Sequence, residues 1–330
     1  MKQHKFILIG LIVLSLLLIA CGSSTTSTST GSPHPTQSTL GDNSVRSITR
    51  ATQSGDFHTP LDSTPDVDGT TIYFTASSSH GAGVFRVPAA GGPATSVFVG
   101  SPFVTPRGIA ISPDGKQLYV TDLAAGDKGE IFVVPVSGGS PSLLQGSMGT
   151  MPQNLDVVNQ NGQQLIYFTG KDPQSGQSGV FTLPVTGAKA PTVVVKGAPL
   201  VNPDGVVVTQ SGIIYVSDQS AAGQQMGKVF KIAGGNVTAV VDQVRTGDPA
   251  GIALSENETI LLVSAIQLTS SGDQVLLIDL NTLQTGSVSK VVGQNNDDAG
   301  GLHASPGKKN ILSWCGKGGG SNGTVYTVQL

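Results

Sequence analysis

A proline recurs along this chain at a nearly constant interval, and that interval limits what the chain can fold into. Pro60, Pro106, Pro152, Pro203 and Pro249 head five segments, and Ala299 stands where a sixth proline would fall. The steps between them are 46, 46, 51, 46 and 50 residues. A repeat of about 40 to 50 residues built from short strands is the mark of a β-propeller, one radial sheet per repeat. Such a ring gathers equivalent residues from every repeat around one central channel.

The second segment shows the plan most clearly. Pro106-Arg107-Gly108-Ile109-Ala110-Ile111 runs into the turn Ser112-Pro113-Asp114-Gly115, and Leu118-Tyr119-Val120-Thr121-Asp122 reads as a second strand. Ile131-Phe132-Val133-Val134 makes a third, and Ser142-Leu143-Leu144 a fourth. β-Branched and aromatic runs punctuated by Gly, Pro and Asp are strand and hairpin signals, and none of these runs is long enough for a helix. The expected fold is all-β: a six-bladed β-propeller with four antiparallel strands per blade, spanning residues 44–330. The last segment has room for only three strands before Leu330. The missing outer strand is expected at 44–52, where Val45 and Ile48 match the fourth strands elsewhere. This N-terminal strand would close the ring and remove an exposed sheet edge.

Ahead of the repeats lies a different kind of sequence. Lys2 and Lys5 precede an apolar run over 6–18, and Leu18-Ile19-Ala20-Cys21 closes it. That pattern reads as a secretory signal over residues 1–20, ending in a lipobox whose Cys21 is diacylated. Two acyl chains suffice for stable membrane anchoring where one is marginal. Residues 22–40 are Ser, Thr, Gly and Pro with few others, which cannot bury enough apolar surface to offset their ordering entropy. The stretch 21–43 is therefore expected to be a lipidated tether, its coil reaching roughly 25 Å. The expected location is the outer face of the bacterial cytoplasmic membrane.

Charge narrows the partners. The chain carries −3, and loss of Lys2 and Lys5 with the leader makes it −5. With 12% of residues charged and no basic stripe, nucleic acid is excluded as a partner, and a monomer is expected. The only other cysteine, Cys315, is left without a disulfide partner once Cys21 is lipidated, and reads as a small packed side chain.

Candidate site residues follow from departures within the repeat, because the other copies show what structure alone requires. The position after each opening residue is Leu61, Arg107, Gln153, Asp204, Ala250 or Gly300. The next is Asp62, Gly108, Asn154, Gly205, Gly251 or Gly301, so Asp62 and Asn154 break a glycine ring. Two further on, a small or apolar residue becomes Asp156 in blade three and His303 in blade six. Asp248 and Asp298 precede the last two openings. Arg107, Gln153, Asp156, Asp204, Asp248, Asp298 and His303 are thus expected, with Asp62 and Asn154, to line one mouth of the channel. Such a set suits a hard divalent cation, a polyol or an anion held by Arg107, or it plugs a wet channel with no further role. Asp122 and Asp218 end second strands after a hydroxyl residue and read as turn caps. There is no Gly-x-Ser-x-Gly elbow and no zinc-ligand spacing.

The segments 106–122 and 203–218 resemble the six-bladed TolB-like superfamily, in particular its senescence-marker/gluconolactonase and NHL-repeat groups. The resemblance implies a divalent cation such as calcium, held by a first-blade Glu, a middle-blade Asn and an Asp that also serves as base. Pro203-Asp204-Gly205 matches the opening that carries that Asp, which implies Asp204 as catalytic base and metal ligand. Gln153-Asn154-Leu155-Asp156 stands for the family's Asn-Gly-Leu-Asp, with Asn154 displaced by one, and Pro60-Leu61-Asp62 replaces Glu-Gly-Pro. Asp62 and Asn154 would then have to complete the metal set.

Three functions are compatible with these residues. The first is a membrane-anchored propeller binding a small molecule, glycan or protein at the mouth where the inner strands begin. The second is a metal-dependent lactonase-like hydrolase with Asp204 as base. The third is a quinone-type dehydrogenase or a lyase on the same scaffold.

Overall fold

The computed structural model describes residues 45–224, 226–266, 272–288, 299–317 and 322–330. The expected leader, Cys21 and the tether lie outside these, as does Asp298.

Among the described residues the strands form six four-stranded antiparallel meanders, one for each segment counted from the prolines. In the second, Pro106–Ile111 is innermost, followed outward by Gln117–Asp122, Glu130–Pro135 and Ser142–Leu143. The other innermost strands are Ser63–Pro65, Leu155–Gln160, Pro203–Val208, Ile252–Leu254 and Ala299–Ala304. Blades four and five are also stitched edge to edge, where Asn236–Thr246 pairs with Ile260–Ile266 at Thr246 and Ala265. Neighbouring blades cover both faces of each sheet. Pro106–Ile111 is accordingly buried throughout and reads as an almost unbroken apolar run, with no inside–outside alternation.

The apolar core is divided into six wedges, one between each pair of blades. Val84 and Tyr73 of blade one pack with Ile109, Val120 and Phe132 of blade two. Ile131 and Tyr119 then meet Leu155, Phe168 and Phe181, and Val180 meets Val206, Val216 and Phe230. Tyr215 and Val229 join Ile252 and Val263, and Leu262 and Leu277 join Leu302 and Trp314. The sixth wedge sets Cys315 and Val325 of blade six against Phe74 and Phe85 of blade one. Core between the blades leaves the axis free for polar side chains.

Ring closure occurs as the sequence suggests. Ser47–Arg50 pairs antiparallel with Thr324–Gln329, placing Ile48 opposite Val328. Val45 and Ile48 rest on the wedge that holds Trp314. One detail differs from expectation: Thr52 does not extend that strand. Thr52–Ser54 turns to pair in parallel with Gly92–Pro93 of blade one, so the N-terminal segment ties the first blade to the last.

A candidate ligand-binding channel

In five of the six blades one hydroxyl sets the geometry at the start of the inner strands. Thr121 Oγ1 accepts from Gly108 N (2.8 Å) in its own blade and donates to Gln153 O (2.8 Å) in the next. Thr75 does the same with Asp62 N (3.3 Å) and Arg107 O (2.7 Å). Thr169 links Asn154 N to Asp204 O, and Ser217 reaches Ala250 O (3.1 Å). Blade six has Cys315 at this register, opposite Val325 as Thr121 stands opposite Ile131. There Gly301 N donates straight to Leu61 O (2.8 Å), without a bridging side chain. These latches were not singled out from the sequence, although a Ser or Thr at the same place in five second strands was there to be read.

Arg107 lies across the mouth where the inner strands begin. Its Nη2 sits 2.7 Å from Asp204 Oδ2 and 2.6 Å from Asp248 Oδ1. The same Asp204 oxygen accepts from Ala250 N (2.8 Å) and Gln219 Nε2 (2.9 Å). Lys317 Nζ approaches Asp248 Oδ2 at 3.5 Å. Burial works against the Arg107 charge, but the two carboxylates hold the guanidinium more firmly protonated than usual. Burial raises Asp204 above the ordinary carboxylate range, against the pull of Arg107. Asp248 is largely exposed; burial of its inner part would raise it, but Arg107 and Lys317 hold it below that range. Gln153 is half-buried beside this group and contributes chiefly its main-chain carbonyl.

Asp62 and His303 form a second group. His303 Nε2 lies 3.0 Å from Asp62 Oδ2, which also accepts from Ile109 N (3.0 Å), while Asp62 Oδ1 accepts from Ser63 N (2.8 Å). Burial alone would strip the proton from His303, yet Asp62, with Asp156 beyond it, holds the imidazole above its ordinary value. A Cβ on Gly301 would fall 1.7 Å from Asp62 Oδ1, and one on Gly108 would meet Asn154 Oδ1 at 2.9 Å. The two departures from the glycine ring thus fill space that the glycine of the preceding blade leaves open.

Asp156 and His303 do not share the Arg107 mouth, which corrects the expectation of a single polar ring there. They line a chamber of about 420 Å³ toward the far ends of the inner strands. Thr64, Ala110, Asp156, Val207, Ala253 and His303, the equivalent residues of the six blades, all face it. Its walls continue through Ile111, Val157, Ile252 and Leu254 to Gln160, Gln210 and Lys309. Asp156 Oδ2 accepts from Val208 N (2.9 Å). Asp156 is raised by burial, against Val208, His303 and Lys309.

The metal set implied by the family resemblance does not assemble. Among the described residues no three His, Cys, Asp or Glu side chains are grouped to hold a metal. Asp62 is committed to three donors, and Asp204 carries the Arg107 guanidinium on Oδ2. Asn154 Oδ1 accepts from Leu155 N (2.7 Å), and its unpartnered atom is Nδ2, a donor that repels a cation. Asp204 Oδ1 takes no protein hydrogen bond, but one orphan oxygen beside Arg107 is a poor cation ligand. Asp122 and Asp218 are turn caps, as read from sequence. Each is fully buried and accepts main-chain N–H groups, Thr105 and Ala125 for Asp122, Asn202 and Ser220 for Asp218.

No family model and no curated protein matches this chain. Solved structures do. A gluconolactonase from Xanthomonas campestris superposes with a TM-score of 0.57 at 18% identity, over 83% of this chain and 87% of that one. The protein assigned as TolB in Agrobacterium tumefaciens gives 0.56 at 16% identity, over 82% and 90%. Kuenenia stuttgartiensis hydrazine synthase gives 0.54 at 17%, over 83% and 96%. The likeness is one of fold. The chain is a β-propeller, and chemistries as different as these on one scaffold leave its function to be argued from its own channel.

Proposed function

We propose that this chain is a membrane-anchored binding propeller that holds a small molecule in the chamber at the far ends of its inner strands. The observation that carries this reading is the chamber itself. All six blades contribute the same register to it, and its size falls within the range of small-ligand sites, about 300 to 1,000 Å³. Its wall combines apolar side chains with polar ones, among them Asp156, Gln160 and His303, that can fix a ligand's orientation. Binding at the opposite mouth has less support, because Arg107 and Lys317 neutralise Asp204 and Asp248 there. The lactonase-like alternative needs Asp204 as a free base beside a metal, and neither condition has support in the geometry. Anchoring through Cys21 outside the cytoplasmic membrane rests on the lipobox pattern of residues 18–21.

Native mass spectrometry of the full chain, purified from membranes in detergent, tests the binding reading. One small molecule per chain is expected to be retained by the wild type and lost from Val207→Trp, whose indole would fill the chamber. Equal retention by both, or none by either, would count against it.

A further inference from the structure

We propose that the chamber takes a small organic cation, an ammonium or guanidinium head on an apolar body, with the head against Asp156. This rests on the chamber being the binding site and adds the chemical class of its occupant. The ionisable side chains that line the chamber are Asp156, His303 and Lys309, and the last two are each paired with a carboxylate behind the wall. Asp62 and His303 neutralise each other when the imidazole is protonated, and leave Asp62 negative when it is not. Lys309 Nζ lies 3.3 Å from Glu258 Oε1, which also accepts from Gln210 N, so that cation is already paired. Asp156 has main-chain donors, Val208 N and Val157 N, and among the described residues no cation within ion-pair distance. In either state of His303, an ionised Asp156 leaves the chamber net negative.

Asp156 is half-buried in the chamber wall, and burial raises its proton affinity against the weaker pull of His303 and Lys309, a penalty on the ionised form. A ligand that brings its own positive charge removes the penalty, and a charge-assisted hydrogen bond adds direction. The surrounding side chains suit the remainder of such a molecule. Ala110, Ile111, Val157, Val207, Ile252 and Leu254 offer apolar surface to a ring or a short chain. A carboxylate ligand would meet repulsion from Asp156, and a neutral alcohol would leave its charge uncompensated.

Calorimetric titration of the full chain in detergent micelles with benzylamine, benzyl alcohol and benzoate tests the assignment. Benzylamine should bind once per chain and roughly tenfold or more tighter than benzyl alcohol, with no saturable heat from benzoate. Asp156→Asn should erase the preference for amine over alcohol, and Asp156→Glu should keep it in part; circular dichroism checks that both variants are folded. Equal binding of amine and alcohol by the wild type, or an undiminished preference in Asp156→Asn, overturns the cation assignment while the chamber reading stands. Benzylamine binding that Val207→Trp leaves unchanged places the site elsewhere and removes both. Absence of saturable binding by all three probes overturns the assignment as well.

Discussion

Thr121 joins two blades through a single oxygen, taking Gly108 N and giving to Gln153 O. Thr121→Val keeps the shape but leaves a buried N–H and a buried C=O without partners. The expected cost is about 2 to 4 kcal/mol in urea unfolding, with Thr121→Ser close to wild type. The Asp62–His303 pair has a pH signature. His303 is held above its ordinary value in the folded chain, so the pair contributes its full stability below about pH 6.5 and loses it as pH rises through the raised value. Asp62→Asn should therefore be less stable than wild type at pH 5.5, with the gap narrowing toward pH 9 in parallel denaturation series. Burial also raises Asp156 and Asp204, whose ionisation costs stability as pH rises above about 4, in wild type and variant alike. At this scale the sequence was partly legible. Asp62, Asn154, Asp156 and His303 stand out against their own repeat, and each proves buried or channel-lining. That Asp62 fits the space over Gly301, or that Arg107 reaches from blade two to Asp204 in blade four, depends on side-chain direction across the ring. Periodicity carries no record of that.

Among the elements, the strand Ser47–Arg50 bears the most responsibility for its length. It covers the edge of Thr324–Gln329 and shields the wedge around Trp314 and Val328. Deletion of residues 44–52 would bare a sheet edge, an invitation to pairing between chains. Soluble oligomers by size-exclusion chromatography and a lowered, broadened thermal transition are the expected outcomes; a monomer with an unchanged melt would show that closure does not depend on this strand. Most elements could be placed from sequence because each blade uses strands buried on both faces, separated by Gly, Pro and Asp turns. The parallel pairing of Thr52–Ser54 with Gly92–Pro93 could not. Two or three residues leave no periodic trace, and the pairing is set by how the first and last blades abut.

For the whole molecule, the lipobox reading predicts that Cys21→Ser blocks incorporation of labelled palmitate and moves the chain from the membrane fraction to the soluble one. Retention of both label and membrane association would refute it. What the order of residues determined alone is the ring: proline spacing, strand runs and the three-strand last repeat suffice, since a sheet apolar on both faces must find a neighbour on each side. The tertiary structure alone decided how the channel divides. Inner strands start at the Arg107 mouth and end around the chamber, and three to five positions along the repeat separate the ion-paired Asp204 and Asp248 from the register of Asp156 and His303. The physical reason is that position along the axis and direction toward it arise only when six strands from distant parts of the chain stand side by side.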